Sequence, residues 1–362
     1  MIKSTLRCSA LPGKDLHNAM TDSLARPILA LTMGDPVGVG PEIIVKTLAD
    51  SGIYQVCRPL VIGDLPALER ARLALDPALK IHLADRPGAG RFQSGTLDLM
   101  ALSQLKPHDL EYGRPTPASG KAMVGYFLTA IDLAMAQKVS GLVTAPISKI
   151  SMKLSGYDYP GHTELLAEKT QTPEFAMMLA GGEFRVVLAT IHCALSQVPK
   201  RITQEGLVRL FHLTSRALDR DFGLAGVPLG VAALNPHASE EGMFGHEETE
   251  IIIPAVKEAQ AAGLAVEGPF PADTLFWRHY QGEFAAIICM YHDQGLIPLK
   301  LLHFMDGVNV TLGLPIIRTS VDHGTAYNLA GTGSASPDSL KAAILMAAEM
   351  AKRRYGGREK RF

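Results

Sequence analysis

Phe184-Arg185-Val186-Val187-Leu188-Ala189-Thr190-Ile191-His192 is a short apolar run that stops on an imidazole. Two other stretches have the same form. Val227 to Leu234 leads through Asn235-Pro236 into His237, and Ala285-Ala286-Ile287-Ile288-Cys289-Met290-Tyr291 leads into His292. Each has the length and the Val, Ile and Ala content of a buried strand bounded by turn formers. In open α/β sheets ligands bind just beyond the carboxyl ends of the strands. Three imidazoles delivered there can converge on one point, and three neutral imidazoles are a common shell for a divalent metal. For any one of them a hydrogen-bonded histidine at a strand end is the better account, so only the shared placement of all three carries the metal reading. The spacings lie far outside local motifs such as H-E-x-x-H.

The rest of the chain alternates strand and helix. Ile28–Met33, Tyr54–Ile62, Leu79–Leu83 and Gly141–Ala145 read as further strands. Helices are expected at Leu65–Leu75, about Gly120–Lys138, near 203–219 and 247–262, and at about Ser339–Arg353, while 86–120 is the least regular part. This order predicts an α/β fold with parallel sheet. A chain of 362 residues, 47% hydrophobic, can bury one large core or two moderate ones, so two domains or a two-lobed body is the natural expectation.

A net charge of −1 excludes the clustered Lys/Arg excess of a nucleic-acid binder. An anionic ligand would have to be met by a few placed cations, which points to a small molecule. Cys8, Cys57, Cys193 and Cys289 form no C-x-x-C pair and read as reduced core thiols of a cytosolic protein. No apolar run is long enough for a membrane span. Residues 1–26 lack the apolar stretch of a secretory signal and read as an extension, poorly ordered or packed on a partner, with Met20 a possible natural start.

Several stretches carry chemistry. Gly34-Asp35-Pro36-Val37-Gly38-Val39-Gly40 precedes a helix opened by Pro41 and Glu42. It resembles a phosphate-cradling turn but is neither G-x-G-x-x-G nor a Walker loop, and a tight turn without a ligand accounts for it as well. His162-Thr163-Glu164 stands at a helix start, where Thr163 suits a cap and His162 an anion contact. Lys300, Asn309 and Arg318 sit in apolar surroundings, and buried cations and amides need partners. Asp322-His323-Gly324-Thr325 forms a polar turn.

In these stretches, and in Thr144-Ala145-Pro146, Pro271-Ala272-Asp273-Thr274, Tyr291-His292-Asp293-Gln294-Gly295 and Gly307 to Thr325, the chain resembles the 4-hydroxythreonine-4-phosphate dehydrogenase (PdxA) family of the vitamin B6 pathway, from about Ile28 to about Ala348. The resemblance implies a two-lobed fold of the isocitrate/isopropylmalate dehydrogenase kind, with the active site in the cleft between lobes at a dimer interface. The lobes would be 27–150 with 310–362, and 151–309 carrying the metal and the dimer contact.

It further implies a metal held by His192, His237 and His292, the last from the neighbouring subunit, zinc first and magnesium or cobalt as alternatives. Substrate contacts fall on His162, Thr163, Lys300, Asn309 and Arg318, and NAD or NADP on Asp322, His323, Gly324 and Thr325. The implied reaction oxidises 4-(phosphooxy)-L-threonine at C3, with decarboxylation to 3-amino-2-oxopropyl phosphate, in a cytoplasmic homodimer. Asp273, Asp293 and Lys300 are the candidate catalytic groups, and a supporting role behind a metal ligand fits either aspartate equally.

Ile297-Pro298-Leu299-Lys300 and Thr144-Ala145-Pro146 look closer to paralogues acting on 4-phospho-D-threonate or 4-phospho-D-erythronate, and a terephthalate dihydrodiol dehydrogenase also belongs to the family. Outside this class, a zinc hydrolase or a non-catalytic metal-stabilised dimer would use the same histidines.

Overall fold

The computed structural model describes residues 26–157, 159 and 162–356, the side chains of 162–164 lying outside that set. In chain order the strands and the helices of eight or more residues are β1 (Ile28–Thr32), α1 (Gly40–Leu48), β2 (Arg58–Asp64), α2 (Leu65–Leu75), β3 (Lys80–Leu83), β4 (Thr96–Ser103), α3 (Pro117–Met135), β5 (Gly141–Thr144), α4 (His162–Lys169), β6 (Ala176–Gly181), β7 (Phe184–Leu188), α5 (Gln204–Ala217), β8 (Leu229–Ala232), α6 (Ile253–Ala261), β9 (Val266–Phe270), α7 (Ala272–Tyr280), β10 (Ala286–Cys289), α8 (His292–Leu302), β11 (Val308–Leu312), β12 (Arg318–Val321) and α9 (Asp338–Tyr355).

All twelve strands join one sheet in the order β3-β4-β2-β1-β5-β12-β11-β6-β7-β10-β8-β9. The six strands from β3 to β12 are mutually parallel, and so are the four from β7 to β9. Between them β11 and β6 pair antiparallel with their neighbours. The expected α/β architecture is therefore present, with an antiparallel seam at its centre that the strand–helix alternation did not predict. The carboxyl ends of β7, β10 and β8 lie side by side on one edge.

Local chemistry sets the helix starts. Asp64 accepts from Ala67 N at 2.8 Å ahead of Pro66 in α2. Thr116 and Ser119 form a reciprocal capping box around Pro117 at the head of α3. Most strands are buried throughout, as parallel strands covered on both faces must be. A smaller core, including Leu179, Val186, Leu188, Ile287 and Leu299, seats α8 on one face of the sheet.

Three boundaries differ from expectation. The strand expected at Tyr54 begins at Arg58, because Ile53–Val56 closes a helical turn with Cys57 N on Ile53 O at 3.1 Å. The irregular region 86–120 contains β4, an interior strand between β3 and β2. The three histidine strands end at Leu188, Ala232 and Cys289, so His192 and His237 ride on loops and His292 opens a helix. Cys57 and Cys289 are free and buried, Cys193 is half-buried, and burial pushes the Cys57 thiol up to about 12; Cys8 lies outside the described residues. No helix among the described residues is long and apolar enough to cross a membrane.

Candidate functional site

The three histidine-bearing ends sit on adjacent parallel strands. His192 and His292 bring their rings to 5.6 Å between centroids. His292 Nδ1 lies 2.7 Å from Asp293 Oδ1, a contact of the kind that fixes the orientation of an imidazole ring. Asp293 thus has a supporting place behind His292. His237 instead lies beside Phe244, with ring centroids 6.2 Å apart. Among the described residues, no three His, Cys, Asp or Glu side chains of one chain gather closely enough to hold a metal ion. The donor chemistry suits a divalent ion, but within one chain the set is incomplete.

The backbone at His237 is unusual. His237, Ala238, Ser239, Glu240 and Glu241 all take positive φ, from 45° to 68°. Left-handed conformation costs L-residues roughly 1–2 kcal/mol each, so this turn persists only where its surroundings hold it. Glu248, fully buried, accepts from Leu234 N at 2.8 Å, Asn235 N at 2.7 Å and Asn235 Nδ2 at 2.9 Å. Asn235 Nδ2 also donates to Glu247 at 2.8 Å. Asp273 lies exposed in the first turn of α7, whose helix packs beside the His237 turn.

A second cluster crosses the middle of the sheet. Thr32 is in register with Thr144, Thr144 with Ser320, and Ser320 with Asn309. Residues in register share a face, and the same face continues through Leu179 to the core beneath α8. Arg318, 2% exposed, stands on the same face two residues before Ser320 and donates to Thr144 Oγ1 at 3.0 Å, Thr311 Oγ1 at 3.1 Å and, more distantly, Asn309 Oδ1 at 3.5 Å. Burial lowers its pKa to about 10, leaving it charged at neutral pH. Thr32 Oγ1 is buried without a hydrogen-bond partner among the described residues. A buried cation with an unused hydroxyl on the same face suits a polar, anionic ligand.

Lys300, on α8 over the same face, meets Asp322 Oδ2 at 3.1 Å. The lysine thus has the charge partner expected of it, and that partner belongs to the stretch expected to hold a nucleotide. The Asp322–Thr325 turn in turn docks on the glycine loop. Val39 N donates to Thr325 O at 3.1 Å, and a Cβ on Gly38 would come within 3.0 Å of that oxygen. Gly34 has φ +72° and lies where a Cβ would meet Pro146 O at 2.3 Å. These glycines serve close backbone packing, the ligand-free alternative for this loop. His323 is exposed, with Nδ1 3.0 Å from Gly324 O.

Sequence reasoning missed the anchor beneath this junction. Fully buried Asp35 accepts from Ser151 Oγ at 2.5 Å and Tyr327 OH at 2.7 Å. Burial, then the Asp35 charge, pushes the Tyr327 phenol up to about 12, so it stays a donor. It also missed Thr144 and Thr311 as partners of Arg318, although the alternation Val308-Asn309-Val310-Thr311-Leu312 signals a strand with one polar face. His162 and Thr163 open α4, but their side chains lie outside the described residues.

Comparison with known proteins shows the family. The model of the family described as pyridoxal phosphate biosynthetic protein PdxA matches residues 55–347. A 4-hydroxythreonine-4-phosphate dehydrogenase of Desulforapulum autotrophicum is 53% identical over 329 residues, covering 91% of this chain and 96% of the relative. A D-threonate 4-phosphate dehydrogenase of Cupriavidus necator is 46% identical over 337 residues, covering 92% and 100%. The crystal structure of a 4-hydroxythreonine-4-phosphate dehydrogenase from Klebsiella pneumoniae superposes with a TM-score of 0.83 at 40% identity, covering 90% of this chain and 98% of that one. With the family model matching residues 55–347 and the Desulforapulum autotrophicum relative covering 91% of its length, the chain belongs to the PdxA family.

Proposed function

We propose that this protein is a metal-dependent NAD(P) dehydrogenase that oxidises the C3 hydroxyl of 4-(phosphooxy)-L-threonine, with decarboxylation to 3-amino-2-oxopropyl phosphate. The observation that carries the reading is the buried Arg318, hydrogen-bonded to Thr144 and Thr311 on the face that also bears Lys300. When bound, a divalent ion supplies a positive centre that polarises the hydroxyl, and a nicotinamide supplies the hydride acceptor.

Arg318 and Lys300 offset the negative charge of a phosphorylated acid, and Asn309 and Thr32 offer it hydrogen bonds. To engage the substrate, Lys300 must share or release Asp322. His192, His237 and His292 are the proposed metal donors, with Asp293 holding the His292 ring. Asp273 is the proposed base for the hydroxyl proton, and Asp322 to Thr325 the proposed nicotinamide contact.

The incomplete donor set of one chain supports a homodimer with shared sites. Apolar side chains stand in the open beside both histidine positions: Ile297, Leu301, Phe304 and Met305 on and after α8, and Met243 and Phe244 by the His237 turn. A second copy would cover them.

A D-threonate 4-phosphate substrate is the second reading, favoured by the full-length match to the Cupriavidus necator enzyme. The test follows nicotinamide reduction, with NAD and NADP, on 4-phosphohydroxythreonine, 4-phosphothreonate, 4-phosphoerythronate and a terephthalate dihydrodiol. Turnover of the first with loss on chelation is expected. No nicotinamide reduction on any of the four refutes the proposal.

A further inference from the structure

Arg185, Ala180, Val308 and Val321 stand in register across β7, β6, β11 and β12. The next row, Val186, Leu179, Asn309 and Ser320, lies on the face proposed for the substrate, and successive residues of a strand alternate faces. Arg185 therefore points to the opposite side. That side is covered by α9, where Thr319, two residues before Val321, donates from Oγ1 to Ala343 O at 2.8 Å. A groove of about 460 Å³ opens there between α9, Gly182 and Val308. Phe222, Val308, Leu345, Met346 and Met350 give it a mainly apolar lining, and Arg185 stands among them. Asp306 and Glu349 also line it, but each is engaged, with His303 at 3.1 Å and Arg353 at 3.0 Å.

Arg185 is a partly buried cation without a counter-charge. Its Nη1 donates to Glu183 O at 2.9 Å and, more distantly, to Ala285 O at 3.4 Å, and its guanidinium lies 5.3 Å from the Phe222 ring centroid. Among the described residues Nε is buried with no hydrogen-bond partner, and no carboxylate forms an ion pair with the guanidinium. Burial lowers its pKa, which the Glu183 charge only partly offsets. A cation left in this state is costly, and an anion beside it would remove the cost.

We propose that this groove is a second ligand site, for a monocarboxylate with an apolar chain whose carboxylate pairs with Arg185 while the chain lies along Phe222, Leu345, Met346 and Met350. The size falls within the roughly 300–1,000 Å³ of small-ligand sites, which are likewise mostly apolar with few polar groups. One unmatched buried cation selects a single negative charge, and the planar fork of a guanidinium fits a carboxylate. The carbonyl contacts and the Phe222 ring would account for Arg185 as a structural side chain, and that account predicts no ligand.

The test titrates octanoate into the full-length protein by calorimetry, with octanol and acetate supplying the chain and the carboxylate separately. Octanoate is expected to saturate one site per chain, about 10- to 100-fold more tightly than either half. Arg185→Met and Leu345→Glu should each weaken it about 10-fold or more, whereas Arg318→Met, on the opposite face, should stay within about twofold. Leu345 is 39% exposed, so its variant reports on the groove even if Arg185→Met does not fold. Absence of saturable octanoate binding overturns the proposal, including the case in which residues 1–25 or a second copy already fill the groove. Octanol binding as tightly as octanoate, or octanoate binding that survives Arg185→Met or Leu345→Glu but is lost in Arg318→Met, overturns it too.

Discussion

Replacing Arg318 by methionine removes a charge while keeping most of the volume, and the structure indicates what each loss is worth. Burial lowers the guanidinium from 12.5 to about 10. At roughly 1.4 kcal/mol per unit, that makes the charged form about 3 kcal/mol less stable in the ligand-free protein than in water. Opposing this are the hydrogen bonds to Thr144, Thr311 and Asn309, each on the order of 1 kcal/mol net. The two contributions nearly cancel, so the ligand-free Arg318→Met variant is expected to unfold within about 2 kcal/mol of wild type. Binding behaves differently, because an anionic substrate group loses a desolvated charge-assisted contact. That loss is about 2–4 kcal/mol, or roughly 30- to 1000-fold in kcat/KM. Urea unfolding of the ligand-free protein and steady-state nicotinamide absorbance measure the two effects separately. A variant that loses more than about 4 kcal/mol of stability yet keeps its KM would refute the assignment, since Arg318 would then serve the fold and not the ligand.

His279 is neutral in the fold: its Nε2 accepts from Arg185 N at 2.9 Å, its Nδ1 faces Phe284 O at 3.1 Å, and burial lowers its pKa to about 4. Its contribution is therefore whole above the unfolded value of 6.5 and is lost as pH falls toward 4, up to about 3 kcal/mol. The unfolding midpoint of wild type should fall more steeply between pH 7 and 4.5 than that of His279→Gln, and parallel slopes would refute this. Asp221, 2% exposed in its side chain, holds Arg354 by two bonds of 2.6 and 2.5 Å. Asp221→Ala, leaving the largely covered Arg354 charge without its carboxylate, should lose about 3–5 kcal/mol in denaturant unfolding. Leu301, 83% exposed, lies on the face proposed for the dimer, so Leu301→Glu should halve the mass measured by light scattering relative to wild type and reduce activity with it; an unchanged mass would refute that face. Gly34→Ala, which sets a Cβ 2.3 Å from Pro146 O at φ +72°, should sharply reduce the yield of folded protein.

Much of the fold was legible because parallel strands, covered on both faces, read as plain apolar runs. The runs Ile28–Met33 and Gly141–Ala145 announce the strands Ile28–Thr32 and Gly141–Thr144 in that way, and the helix expected at Leu65–Leu75 is the one observed. The antiparallel seam was not. Ala176–Gly181, built of Ala, Met, Leu and Gly without a β-branched residue, carries little strand signal, and the alternation in Val308–Leu312 signals a strand but not its direction. No local signal says that β11 turns back between β12 and β6, because that pairing is a property of distant segments. Arg58–Asp64 was placed early because Ile53, Tyr54 and Val56 are apolar and β-branched or aromatic, and tertiary packing made them a helical turn.

The site divides along the same line. A residue type that is costly where it stands, such as a histidine at a strand end or an arginine between isoleucine and threonine, can be picked out one position at a time. Its partners cannot, since serine, threonine and glutamine are cheap anywhere and gain meaning only by adjacency. Thr144 lies 174 residues from the Arg318 it contacts, and Gln294 61 residues from the Ala233 carbonyl it holds. The Lys300–Asp322 pair shows the consequence for function. Sequence assigned the lysine to substrate and the aspartate to the nicotinamide as separate tasks, whereas the fold joins them at 3.1 Å. An acid that draws Lys300 toward itself must weaken that pair, releasing the carboxylate at the head of the turn that docks on the glycine loop. Asp322→Asn, which keeps the shape and removes the charge, should therefore tighten substrate in the absence of nicotinamide while reducing the mutual dependence of the two ligands' affinities, measured by titration calorimetry. An unchanged coupling would mean that the two halves of the site merely touch.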